Sequence, residues 1–206
     1  QGEHQPGAKL RITEIAGRYS VSPSVIREAL TRLAGQGLVT AIPQRGFTVA
    51  ELSISDLEDL SHARRLIEMS ALREAIRDGD LAWESSVLAA HHRLAHTPLT
   101  DHLGHVREDW SQAHTDFHRA LLSGGRSTTL IKIADNLRDR SDLYIHWSRE
   151  LAHDDGRDAA SEHQEIADST VARDADGATE ALSRHIARTT DALVRYAESK
   201  ADAAAE

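Results

Sequence analysis

Residues 21–33, Val21-Ser22-Pro23-Ser24-Val25-Ile26-Arg27-Glu28-Ala29-Leu30-Thr31-Arg32-Leu33, decide how the first quarter of the chain folds. Ser22 is placed to cap a helix whose first position is Pro23, where a missing N–H costs nothing and the fixed φ suits the turn. Val25, Ile26, Ala29, Leu30 and Leu33 recur at three- and four-residue spacing and predict one buried face, which Gly35 and Gly37 end. Upstream, Leu10, Ile12, Ile15 and Ala16 predict a shorter amphipathic helix, followed by a turn at Tyr19 to Val21. Downstream, Leu38 to Ile42 and Gly46 to Val49 alternate as two short strands. Helix, turn, helix and two-stranded wing is the order of a winged helix-turn-helix, although a plain helical hairpin with a β-ribbon shares it.

Charge divides the chain at the same place. Residues 1–50 carry six Lys/Arg against three Glu, net +3, and the rest carries 18 basic against 30 acidic side chains, net −12. A small basic module on a larger acidic body predicts a nucleic-acid binder joined to a part that is not one. The 206 residues suffice for two small domains, expected at 1–50 and 51–200 with a tail at 201–206. The absence of Cys excludes disulfides, thiol nucleophiles and thiolate metal sites, leaving His and carboxylate as ligands. No apolar run approaches the roughly 20 residues of a membrane span, and Gln1 to Lys9 lacks the layout of a signal peptide. A cytoplasmic protein with no membrane partner is expected.

Beyond Ala50 only Pro98 interrupts a chain rich in Ala, Leu, Arg and Glu, which predicts an all-helical body. Ser55 with Glu58 reads as a capping box ahead of Leu57, Leu60, Ala63, Leu66 and Ile67, on a helix to about Arg77. Gly79 ends it and Asp80 caps the next, to about Ala95. A third helix is expected through Val106, Trp110, Ala113, Phe117 and Leu121 until Gly124 and Gly125, and Ser127 caps a fourth to about Leu151. After a polar loop, His153 to Asp158, two more are expected, Ala159 to Ala172 and Asp176 to Glu198.

The stretch from Val21 to Leu30, with Arg32-Leu33, Gly37-Leu38-Val39 and Arg45-Gly46-Phe47-Thr48-Val49, resembles the GntR family of bacterial transcription regulators. The body resembles that family's helical FCD (FadR C-terminal) effector domain, through Arg64-x-x-Ile67-Glu68, Asp116-Phe117-His118, Glu162-His163 and His185-Ile186. The resemblance covers nearly the whole chain. It implies a mostly α protein: a winged helix-turn-helix lacking its first helix, which the family places before Pro6-Gly7, and an antiparallel helical bundle. It also implies double-stranded operator DNA as a partner and a homodimer, because two recognition helices on a palindrome need two-fold symmetry.

In the basic module Ser22, Ser24 and Arg27 sit where a recognition helix meets bases and phosphates. Ser22 can be an N-cap as well. Pro23 stands where the family often has Arg, and Val25 where it often has Pro, so operator preference is expected to differ. Arg45 beside Gly46 at the wing tip suits phosphate or the minor groove, or is simply a solvated turn residue. Arg32 reads as a surface charge able to pair with Glu28.

Twelve of the 13 His lie in the acidic body. His114 and His118, at i,i+4, share a helix face and can bind one cation. Asp116, two residues from either, points elsewhere. The resemblance supplies His163 and His185 as further ligands from later helices, and it makes His114 the departure, since the family usually has Asp or Asn there. Either four His bind or His114 has drifted and three remain; the alternative is four His that hydrogen-bond in a polar core. Imidazole ligation suits a divalent transition metal, Zn first, with Ni or Cu also suitable. Arg64, Arg140 and Tyr144 are candidates to hold a small organic-acid effector, although Arg64 with Glu68 at i,i+4 equally fits a structural ion pair. His91, His92, His96, His102 and His105 carry no assignment.

The reading is a ligand-responsive, DNA-binding transcription regulator. The alternative is a helical metalloenzyme using the His-rich site, but a di-iron bundle needs two Glu-x-x-His elements and the chain has one, Glu150-x-x-His153. No Walker loop, Gly-x-Gly-x-x-Gly or Ser-His-Asp spacing is present.

Overall fold

The computed structural model describes residues 7–51, 53–102, 105–151 and 158–205, the side chains of 142–151, 193 and 196–205 lying outside that description. Strand β1 (Lys9–Leu10) leads into helix α1 (Ile12–Tyr19), then α2 (Pro23–Gly35), β2 (Val39–Ile42) and β3 (Gly46–Val49). Ser22 Oγ accepts the Val25 N–H at 3.4 Å, so the expected cap forms with Pro23 at the first helical position. The strands form one antiparallel sheet in the order β1-β3-β2, with Leu10 opposite Phe47 and Thr40 opposite Thr48.

Two expectations are corrected here. Leu10 belongs to a third strand and not to the first helix, because extended Lys9–Leu10 pairs with the edge of β3 that the wing hairpin leaves open. Val25, 51% exposed, and Ala29 are not core, since α1 and the sheet cover only the side of α2 carrying Ile26 and Leu30.

The body comprises α3 (Ile54–Asp78), α4 (Leu81–His96), α5 (Glu108–Leu122), α6 (Thr128–Leu151), α7 (Ala159–Val171) and α8 (Ala175–Ala205). Helix α3 packs along α6 and α8, α4 along α5 and α7, and α7 along α8. Asp80 caps α4 and Ser127 caps α6 as expected. The cap of α3, however, is Ser53 and not the Ser55–Glu58 box: Ser53 Oγ accepts the Asp56 N–H at 3.2 Å, so Ser55 is already helical. Val106 lies outside α5, in a β-bridge with Thr100. Leu66 is exposed, because the buried face of α3 runs through Leu57, Leu60, Arg64, Glu68 and Leu72. Helix α8 continues past Glu198 through residues 201–205, part of the expected tail.

Two apolar cores result. One fills the bundle around Leu72, Val87, Phe117, Leu121, Ile166 and Leu182. The other belongs to the winged module, Leu10, Ile26, Leu30, Val39, Phe47 and Val49, yet it also takes in Leu57 and Leu60 of α3, with Leu137 of α6 against it. Helix α3 therefore starts in one core and ends in the other. Among the described residues no helix is long and apolar enough to cross a membrane.

Trp83 locks the helix ends together. Its indole N–H donates to the Ala120 carbonyl at 2.9 Å, and the ring fills a slot that exists only because residues 79 and 124 lack side chains. A Cβ on Gly124 would stand 2.8 Å from the ring and 2.9 Å from the Ala75 carbonyl oxygen. Gly124→Ala should therefore lower stability by about 1–3 kcal/mol, the usual cost of overpacking, measured by urea unfolding against the unsubstituted protein. An unchanged midpoint would show that the slot is not tight.

Candidate functional site

His114 and His118 are one turn apart on α5, His163 lies on α7 and His185 on α8. All four are buried, and each offers a ring nitrogen such that the four nitrogens lie within 4.8 Å of one another. The i,i+4 spacing does what it promised: His118 Nε2 and His114 Nε2 are 3.2 Å apart. Two nitrogens on one tetrahedral zinc stand about 3.3 Å apart at Zn–N distances near 2.0–2.1 Å.

The surroundings orient this cluster. The Glu162 carboxylate lies 2.8 Å from His185 Nδ1 through one oxygen, and its other oxygen accepts from Arg188 at 2.6 Å. If that contact is His185 Nδ1–H donating to Glu162, the lone pair of Nε2 is left for the cluster, the arrangement that commonly aims a ligating His. Trp110 stacks on His114 with ring centroids 4.9 Å apart, and Phe117 presents its ring to His118 and His163. Burial, with the neighbouring His114, Arg138, His185 and His163, pushes the basicity of His118 well below the ordinary imidazole value, so His118 is neutral. Its Nδ1 is buried with no hydrogen-bond partner among the described residues. Converging, buried imidazoles, with His118 held neutral, are a donor set that fits a borderline cation such as zinc.

Beside the cluster lies a charged triad. Glu68, fully buried, accepts from Arg64 Nε and from Arg138 Nη2, both at 2.7 Å. Burial alone would raise its carboxyl, but Arg138 and Arg64 outweigh that and hold it below the ordinary value. The ion pair allowed by the Arg64–Glu68 spacing thus forms. Arg138 escaped the sequence reading, although its signal is present: it lies four residues after Ala134 and three before Ser141, a charge on the buried stripe of α6. Glu162 was visible only as a neighbour of His163. Arg140 is not gathered with Arg64; it approaches Asp56 at 3.4 Å and lies against Gly37. The side chain of Tyr144 and the whole of His153 fall outside the described residues.

In the winged module Ser24 and Arg27 are exposed on α2, lining a shallow groove with Glu28, Thr31 and Arg32. Arg45 is exposed in the β2–β3 turn, and Gly46 follows with φ +97°, a conformation other residues rarely adopt. Ser22, Ser24 and Arg27 thus share one helix start, and Arg45 with Gly46 forms the wing tip.

Residues 1–49 match the family described as bacterial regulatory proteins, gntR family, and residues 59–188 match the FCD domain. The HTH-type transcriptional regulator BphR of Paraburkholderia xenovorans (strain LB400) is 36% identical over 194 residues, covering 90% of this chain and 76% of its own. The HTH-type transcriptional repressor GlaR of Escherichia coli (strain K12) is 32% identical over 189 residues, 90% and 86% of the two chains. Among solved structures, E. coli McbR/YncC aligns with a TM-score of 0.78 at 19% identity over 94% of this chain and 90% of its own. A GntR family member from Pseudomonas syringae pv. tomato str. DC3000 aligns at 0.61 and 23% identity, over 98% and 82%. These structures share the fold.

His118 and His91 both have basicity lowered, chiefly by burial, so the unfolded chain takes up protons at a higher pH than the folded one. The stability they confer is complete above about pH 6.5 and drains away as pH falls, each contributing a slope of at most about 1.4 kcal/mol per pH unit. Chelator-treated protein should lose unfolding free energy between pH 7 and pH 5, and His118→Gln should flatten that loss. Parallel profiles would mean that His118 is not a buried neutral group.

Proposed function

The chain belongs to the GntR family of bacterial transcription regulators, with an FCD domain as its body, and we propose that a transition metal and a small organic acid at the four-histidine centre govern its hold on DNA. Membership makes it a DNA-binding transcriptional regulator and not an enzyme. The observation carrying the proposal is the convergence of His114, His118, His163 and His185 in a buried cluster. Zinc is the expected cation, with nickel or copper also suited to imidazole, and His114 counts as a ligand because its nitrogen lies beside that of His118. A bound cation would supply a Lewis-acidic position for a carboxylate oxygen.

For the acid, Arg64 is engaged with Glu68 and Arg140 with Asp56. Arg138 suits the role better: among the described residues its Nε and Nη1 are buried without a hydrogen-bond partner, Asp135 approaching Nη1 at 3.5 Å. An arginine with donors to spare beside imidazoles is an anion site. Ser22, Ser24, Arg27, Arg45 and Gly46 are the proposed DNA contacts. A homodimer on a palindromic operator in the cytoplasm completes the reading, with apolar surface at Leu66 and Ile133 available to a second copy.

Metal content by mass spectrometry tests the centre. Protein purified without chelator or His tag should hold about one equivalent, and His118→Ala should lose most of it, more steeply as pH falls, because each imidazole must give up its proton to bind. Equal sub-stoichiometric metal in both would reduce the four His to core polar groups.

On an operator selected from random duplexes, affinity should fall steeply with salt as counterions are released. Arg27→Ala should weaken that affinity by about 1–3 kcal/mol if Arg27 reads a base. Sedimentation of the complex should give two chains per duplex; an unchanged affinity, or one chain, would remove Arg27 from the interface or the dimer from the reading.

A further inference from the structure

One turn of α6 touches both halves of the molecule. Ala134, Arg138 and Ser141 are buried on the face turned into the bundle, Arg138 at 2% exposure and bonded to Glu68. Leu137, one residue away, packs against the core of the winged module, and Arg140, at i+3 from Leu137, shares its face. Arg140 reaches Asp56 at the start of α3, and a Cβ built on Gly37 would stand 3.3 Å from its Nε. Gly37, with φ +77°, is the joint of the DNA-binding module: α2 ends just before it and β2 starts just after. Leu38 follows, its N–H on the Leu33 carbonyl and its own carbonyl accepting the Ala50 N–H after β3. Whatever presses on Gly37 therefore presses on the recognition helix and the wing together.

The same turn is tied to the histidine centre from the other side. Arg119, next to His118 on α5, pairs with Asp135 and with Asp139, each at 3.5 Å, and Asp139 lies between Arg138 and Arg140. A helix turn is stiff, so this turn is the contiguous physical route by which a displacement at Arg119 or Arg138 would reach Gly37 through Arg140.

We propose that Arg140 is a positioning residue for DNA binding: its guanidinium, anchored on Asp56, braces the α2–β2 joint at Gly37 and makes operator affinity depend on what occupies the histidine centre. This rests on the proposed control by that centre. A ligand acts at a distance only through a difference in free energy between two arrangements, and the α6 turn is the element shared by both sites.

The test compares operator affinity with and without one equivalent of zinc sulfate, by fluorescence anisotropy, for the unsubstituted protein, Arg140→Ala, Arg140→Lys and Asp56→Asn, with metal content measured in each. The expectation is a zinc-dependent change in the unsubstituted protein, at least fivefold, that shrinks below twofold in Arg140→Ala at equal metal content. Arg140→Lys should restore part of it, and Asp56→Asn should lie between. If Arg140→Ala binds DNA too weakly to measure, hydrogen exchange of residues 33–40 replaces the affinity: zinc should alter their protection in the unsubstituted protein and not in Arg140→Ala. A full zinc response in Arg140→Ala, by either readout, overturns the role of Arg140 while leaving the regulatory centre standing. An unsubstituted protein whose affinity ignores zinc overturns both.

Discussion

The Glu68 carboxylate, wholly buried between Arg64 and Arg138, fixes how the long helices meet. A lone buried carboxylate would cost many kcal/mol, and here Arg138 and Arg64 together keep Glu68 charged. Arg64 is on the same helix, but Arg138 comes from α6, so the charge requirement sets the register of α6 against α3. Removing either arginine strips Glu68 of one of its two charge-assisted hydrogen bonds, whereas apolar residues of similar volume throughout could be at least as stable. What the ionic version adds is uniqueness of register. Because α3 begins in the core of the winged module, through Leu57 and Leu60, that register also fixes where the DNA-binding elements stand on the body.

The histidine cluster obeys the opposite logic. Glu68 is kept charged by its neighbours, while His118 is kept neutral by burial and by the positive charge around it. An imidazole in that state keeps a lone pair on one ring nitrogen, and it is held in the interior by α5, α7 and α8, with Phe117 against its ring and Trp110 stacked on the neighbouring His114. A cation under the proposed function would meet ring nitrogens already gathered, so little ordering entropy would oppose its binding.

Much of this was legible in the sequence, for identifiable reasons. Caps at Ser22, Asp80 and Ser127 and the breaks at glycines are local signals that the folded chain keeps, whereas the equally local Ser55–Glu58 box gave way to Ser53 two residues earlier. The i,i+4 pair on α5 could be placed on one face from spacing alone, but its meeting with His163 and His185 is a fact about three helices, which only the family resemblance anticipated. Errors arose where one surface had to choose among several neighbours. Val25 and Leu66 fit the apolar period and are exposed, because periodicity identifies a candidate face but not how wide a face its neighbours cover. Leu10 looked like the first residue of a helix because a two-residue strand has no periodicity to detect. Arg138 was passed over because charged residues are ordinarily read as surface, and the partner that makes it a core residue lies 70 positions away.

The polarity of the chain follows from the division of labour. A basic module of about 50 residues is drawn to phosphate wherever it meets DNA, and attraction of that kind is indifferent to sequence. Specificity has to come from side chains that meet base edges, and at the start of α2 Pro23 removes an N–H and offers no polar group, so under the proposed function that task falls to Ser22, Ser24 and Arg27. The net negative charge of the body disfavours the DNA backbone there, while the net positive charge of residues 1–50 favours it. Under the proposed function, a regulator built this way would not need to hide its recognition helix in order to respond. In the proposed dimer it would need only to alter the angle at which each basic module is held, because on a symmetric operator a small rotation of each recognition helix takes both out of register with their half-sites at once.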